Sequence, residues 1–166
     1  DRGLGLEAQS EDGNPARLAE SLHGARGVVA SGVFNTPVGD GKPGPALPGK
    51  VYEFGFEAMP GMKLTLTSMF GQSNDWFFAP RESGIALFDK KGRPVSGDVT
   101  AQLMLWDAGT EVDEEPGLGP NQAPRQAAPN TGPSEKKAVA PARGYPIPPV
   151  GEILRVTIAP EGMAAK

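Results

Sequence analysis

The chain has 166 residues, 16 of them basic and 20 acidic, with a formal net charge of −4 and no cysteine. That length suits a single domain with a real core, residues 1–166 taken together. The missing cysteines exclude disulfides, thiolate zinc sites and cysteine nucleophiles. Five carboxylates and no base fall within residues 107–115, so that segment carries −5 and the remainder +1. Acidity this local speaks for a cation, and no basic stripe interleaved with aromatics speaks for nucleic acid. No run of about 18 apolar residues is present to span a membrane. A signal-peptide pattern is also missing, as expected of a mature or trimmed exported form.

In chain order, residues 14–23 read as a helix. Asn14 suits the N-cap and Pro15 the first helical position, while Ala16, Leu18, Ala19 and Leu22 form a partial apolar face before Gly24. Residues 27–34 read as a short strand, followed by a Pro/Gly loop to Lys50. Residues 51–58 put Tyr52, Phe54 and Phe56 on one face, and 63–70 do the same with Leu64, Leu66 and Ser68. Met59-Pro60-Gly61-Met62 is turn chemistry between them and predicts a hairpin. Further strands are predicted over 85–88, 99–106 and 152–159, with a turn at Lys90-Lys91-Gly92. Short strands with turn signals and one helix predict a mainly β fold, an antiparallel β-sandwich. Residues 116–149 form a Pro-rich loop excursion, ordered over 116–126 and most mobile over about 127–140.

The chemistry concentrates in the acidic run. Five close anions must be solvated, protonated or neutralised, and Ca²⁺ takes roughly six to eight oxygen ligands. Gly109 lets the backbone turn tightly, so carboxylates at 107 and 111 can converge. The run lacks the EF-hand spacing, and a solvated acidic loop explains the charge equally well. Ser73-Asn74-Asp75-Trp76-Phe77 supplies another acid. If the strands ending near 70 and 106 run in the same direction, Asp75 and Asp107 meet at one end. On the plainer alternative, Trp76, Phe77 and Phe78 fill the core and Asp75 caps a turn. For catalysis, the lone histidine, His23, sits at a helix end, where capping or surface roles prevail. No Gly-rich phosphate loop occurs. A carboxylate-based hydrolase would need one acid of raised pKa in a cleft beside an apolar wall.

The blocks Ser73-Asn74-Asp75-Trp76-Phe77 and Trp106-Asp107-Ala108-Gly109-Thr110-Glu111 resemble the signature of the spondin N-terminal domain family. Asn74 and Glu111 replace the animal Pro and Asp, so the likeness is to the family's bacterial branch. Gly119-Pro120-Asn121-Gln122, Glu11-Asp12-Gly13-Asn14-Pro15 and Leu87-Phe88-Asp89 also resemble it. The resemblance implies a β-sandwich similar to C2 domains and Ca²⁺ held by Asp75, Asp107 and Glu111. Trp76 and Trp106 would pack beneath the strand ends, leaving Asp113, Glu114 and Glu115 solvated. It further implies a secreted, periplasmic or cell-surface adhesion or binding module, not an enzyme, with a protein or other extracellular ligand as partner. Alternatively, the calcium is purely structural and partner binding uses another surface. Members of that branch carry a further strand before the equivalent of Leu6. An open edge strand, free to pair with a partner, is therefore expected.

Overall fold

The computed structural model describes residues 3–161. Their order is α1 (Leu6–Asp12), α2 (Ala16–Leu22), β1 (Lys63–Leu64), β2 (Ser68–Met69), β3 (Trp76–Pro80), β4 (Ile85–Ala86) and β5 (Gly97–Asp98). After a 3-10 turn at Thr100–Gln102 come β6 (Leu103–Asp107), β7 (Ala140–Pro141), α3 (Val150–Ile153) and β8 (Thr157–Ile158). The fold is β-rich and every strand pairing is antiparallel. Its main sheet has the order β2-β3-β6-β7, and the pairs β1-β4 and β5-β8 are separate ribbons.

The longest ladder joins β3 to β6, from Trp76 opposite Asp107 to Pro80 opposite Leu103. Side chains alternate across this pair, as the two-residue strand repeat requires. Trp76, Phe78, Leu103 and Leu105 enter one core with Leu66, Ile85 and Val99. On the opposite face Phe77, Ala79 and Ala108 pack with Leu6 and Trp106. Helix α1 lies against β2 and β3, so the sheet is covered on both sides. All five residues of β3 are therefore buried. A strand covered on both faces reads as an unbroken apolar run, which is why Trp76–Phe78 look like mere core plugs in the sequence.

Several sequence expectations are corrected. The hairpin between 51–58 and 63–70 does not form: Lys63–Leu64 pairs with Ile85–Ala86, and Ser68–Met69 with Phe77 and Phe78. Residues 51–58 are not in a strand; Tyr52 and Phe54 pack on Phe34 instead, with Phe34 and Phe54 stacked at 4.8 Å. Residues 27–34 form no strand either. The 99–106 strand begins only at Leu103, because the 3-10 turn takes the preceding residues. In 152–159 only Thr157–Ile158 is a strand, after the short α3. The helix over 14–23 is present as α2, where Asn14 Oδ1 accepts from the Ala16 N–H at 3.2 Å. The turn at 90–92 is also present: Asp89 Oδ1 accepts from the N–H groups of Lys91 and Arg93.

Helix α1 was not expected. Its buried residues are Gln9, Ser10 and Glu11, so it has no apolar stripe to betray it. Nor is the middle of 116–149 loose throughout. Val112 N–H donates to Pro133 O, Glu135 N–H to Thr110 O and Lys137 N–H to Gly109 O, and β7 then pairs with β6. Residues 133–141 thus run back along the acidic loop and form one wall of it. No helix among the described residues is long and apolar enough to cross a membrane.

Candidate metal centre

Two strand ends create the site. Strands β2 and β6 both lie antiparallel to β3, so they share a direction, as the meeting of Asp75 and Asp107 requires. Asp75 immediately precedes β3, Asp107 ends β6, and the Ala108 N–H donates to Asp75 O at 3.2 Å. The chain then turns through Gly109 at φ +69°, where a Cβ would come within 2.9 Å of the Lys137 backbone. Only glycine accepts both conditions without strain. The turn is closed by the Gly109 N–H donating to Asp107 Oδ1 at 2.6 Å.

Asp75 is fully buried, and its two oxygens differ sharply. Oδ2 accepts from the Thr110 N–H at 2.6 Å, the Thr110 hydroxyl at 2.8 Å and the Glu111 N–H at 3.1 Å. Oδ1 is buried and has no hydrogen-bond partner. Asp75, Asp107 and Asp113 each offer a carboxylate oxygen, and these oxygens all lie within 4.8 Å of one another. Burial raises the pKa of Asp113 to about 7, with repulsion from Asp107 and Asp75 adding to it. Burial raises Asp107 as well, against the opposing Gly109 hydrogen bond. The nearby Lys137 ammonium pairs with Glu135 at the surface. Three mutually repelling, partly desolvated carboxylates with an orphaned oxygen have the donor chemistry of a hard-cation site.

Glu111 is placed differently from the ligand role the resemblance implies. It is not one of the three converging acids. Its side chain runs against Gly132, filling the place a Cβ would take there. Burial pushes its carboxyl up to about 7, helped by the charges of Asp75 and Glu114. Asp113, expected to be solvated, takes the third position instead. A run of adjacent acids carries no internal mark of which one faces inward, so sequence spacing missed it.

Glu114 is not solvated either. Its Oε1 and Oε2 accept from the Asn121 Nδ2 and backbone N–H, at 2.7 and 3.0 Å. Asn74 Oδ1 accepts from the Glu114 N–H at 2.9 Å and from Gln122 Nε2 at 3.1 Å. Gln122 is fully buried, and its Nε2 also reaches the carbonyls of Glu114 and Glu115. Its Oε1 accepts from the Gly117 N–H and from Arg125. Asn74, Asn121 and Gln122 therefore clamp the loop that carries Asp113. All three stand in the blocks on which the resemblance rests, but their clamping role was not legible without the fold.

On the far side, the Thr110 hydroxyl also lies 3.2 Å from Glu11 Oε1. Having one proton to give, it serves Asp75 or Glu11 at any one time, not both. Burial pushes the Glu11 carboxyl up to about 8, with repulsion from Glu111 and Glu7 next in size. Trp76 lies in the core beneath this end, and Trp106 packs on the opposite face of the sheet. Comparisons of the chain with family models, characterised proteins and solved structures give no match.

Proposed function

We propose that this protein is an exported calcium-binding module of the spondin N-terminal type, a C2-like sandwich that carries Ca²⁺ at one end and binds an extracellular partner. The observation that carries the reading is the convergence of Asp75, Asp107 and Asp113 oxygens within 4.8 Å, with Asp75 Oδ1 buried and unpartnered. An all-oxygen donor set suits a hard divalent cation and not a soft one. Bound there, the ion neutralises the acids and fixes residues 107–115 against the 133–141 wall. The Asn74–Gln122 clamp holds Asp113 in place, so this chain completes the ligand set with Asp113 where the family pattern implies Glu111. Function as an adhesion or binding module, the extracellular location and the absence of catalysis follow from the sequence resemblance. The outer strands of the main sheet, β2 and β7, are the edges at which a partner strand would join.

Thermal melting in EDTA and across a Ca²⁺ titration tests the site. An ion bound only by the folded state at about a hundredfold excess over Kd stabilises by about 2.7 kcal/mol, or about 5 to 10 °C for a chain of this size. Asp107→Asn and Asp113→Asn are each expected to cut that rise to less than half. Glu115→Gln, exposed in the same run, should leave it intact. An unchanged wild-type melting point would leave the loop as ordinary solvated charge and defeat the reading.

A further inference from the structure

Residues 51–58 alternate like a strand yet belong to no sheet, and the metal centre makes no use of them. The backbone there is extended: residues 51–59 contain no turn or bend, and no residue of 51–58 has a positive φ. The Phe54 and Phe56 rings lie 6.1 Å apart, close to the two-residue rise of a strand, roughly 6.6 Å. Tyr52 and Phe54 both meet the Phe34 ring, so Tyr52, Phe54 and Phe56 line one face. Glu53, Gly55 and Glu57 line the other. The segment is anchored at its start. There the Val51 carbonyl accepts from the Val38 N–H at 2.8 Å, and the Tyr52 hydroxyl donates to Gly44 O at 2.6 Å. Backbone groups alternate between the two edges of a strand, so those of residues 52, 54 and 56 face away from Val38. Among the described residues no backbone hydrogen bond satisfies them, and Val51, Phe54 and Phe56 are exposed beside them.

We infer that two copies of this chain associate by pairing residues 52–56 antiparallel across that free edge, with Phe54 opposite its own copy. A two-fold interface brings the same patch of both chains together, so the segment must complement itself. Centred on Phe54, it does. Tyr52 then faces Phe56 at either end and Phe54 faces Phe54, so every pair on that side is aromatic. On the other side Glu53 faces Gly55 and Glu57 faces Val51, and no glutamate lies directly opposite another. The facing residues 52, 54 and 56 exchange backbone bonds, about six in all, through the groups left bare in the single chain. Other registers fit worse. Centring on Gly55 sets Glu53 against Glu57 twice, and like charges directly opposite destabilise. Centring on Phe56 sets Phe54 against Ala58 and Tyr52 against Pro60, which has no N–H to give. So short a ribbon makes a weak dimer, roughly half formed at about 10–100 µM, and the dilute chain keeps this edge bare.

Sedimentation velocity from about 1 to about 300 µM brackets that range, and runs in EDTA and in Ca²⁺ separate the association from the metal site. The wild type is expected to pass from monomer to dimer in both buffers. Phe54→Lys sets two ammonium groups face to face and is expected to leave a monomer throughout. Gly55 has an ordinary φ and nothing within 4 Å of an added Cβ, so changes there probe the register without disturbing the fold. Gly55→Lys meets the partner's Glu53 and is expected to tighten the dimer about fivefold. Gly55→Glu, of similar bulk and opposite charge, is expected to weaken it about as much. Because Phe54 also stacks on Phe34, the Gly55 variants decide the matter should Phe54→Lys unfold. A monomer at every concentration, or a dimer that folded Phe54→Lys leaves intact, would overturn the inference. Equal effects of the two Gly55 variants would overturn the register and the pairing with it.

Discussion

Gln122 illustrates how much one buried amide can organise. Its side chain touches Asn74, the carbonyls of Glu114 and Glu115, the Gly117 N–H and Arg125. Replacing it with leucine keeps the bulk and removes every one of those bonds. A buried polar group left without a partner costs about 1 to 3 kcal/mol. Gln122→Leu is therefore expected to lower stability by about 2 kcal/mol or more in urea unfolding, and to weaken Ca²⁺ binding with it. A loss below about 0.5 kcal/mol would show that the clamp is not holding the loop. At this scale the sequence was partly readable. Asp75 and Asp107 stand out because each follows or precedes an aromatic block at a strand end. Asp113 does not, because its neighbours Glu114 and Glu115 are chemically alike. Glu11 does not, because it belongs to a short polar helix whose buried face carries no apolar signal.

Among the elements, the strands illegible in the sequence are those whose burial is decided by distant partners. Residues 51–58 have the alternation of a half-buried strand, yet 53–58 make no backbone hydrogen bond among the described residues. Phe54 and Phe56 are 43 % and 46 % exposed; they stack on each other, and Phe54 stacks on Phe34. Alternation thus encoded an aromatic ladder but not a sheet position. Conversely, β3 lacks alternation and is the centre of the sheet, since both of its faces are covered. An exposed segment without ladder hydrogen bonds opens at low free-energy cost. Limited chymotrypsin digestion is expected to cut first after Phe54 or Phe56, with Phe77 and Phe78 protected until the core unfolds. A first cut at Tyr145 or within β3 would contradict that ordering.

For the whole molecule, the buried acids set the response to pH. Glu11, Glu111 and Asp113 have folded-state values of about 8, 7 and 7, above the ordinary 4.5, 4.5 and 3.8. The folded chain therefore holds protons that the unfolded chain releases. Their contribution is fully present below about pH 4 and is lost as pH rises to about 8. The exposed Asp89 and Asp98 act in the opposite sense, being lowered by hydrogen bonds from Arg93 and Thr100, but only in acid. In EDTA, the melting point is expected to fall between pH 5 and pH 8. Ca²⁺, which binds the ionised carboxylates, should flatten that fall. A metal-free melting point that rises across the same window would contradict the burial of these groups.

The return of residues 133–141 to the acidic loop has one more consequence. Thr110 meets Asp75 from 35 positions away and Glu11 from 99 away, and its carbonyl is held by Glu135 from within the Pro-rich stretch. Such an assembly is non-local: an unfolded chain keeps only the acids of 107–115 near one another and lacks the Asp75 carboxylate and the backbone turn that complete it. Ion capture is then inseparable from completion of the native topology. A melting-point series against free Ca²⁺ then reports how much more tightly the complete site holds the ion than the acidic run alone.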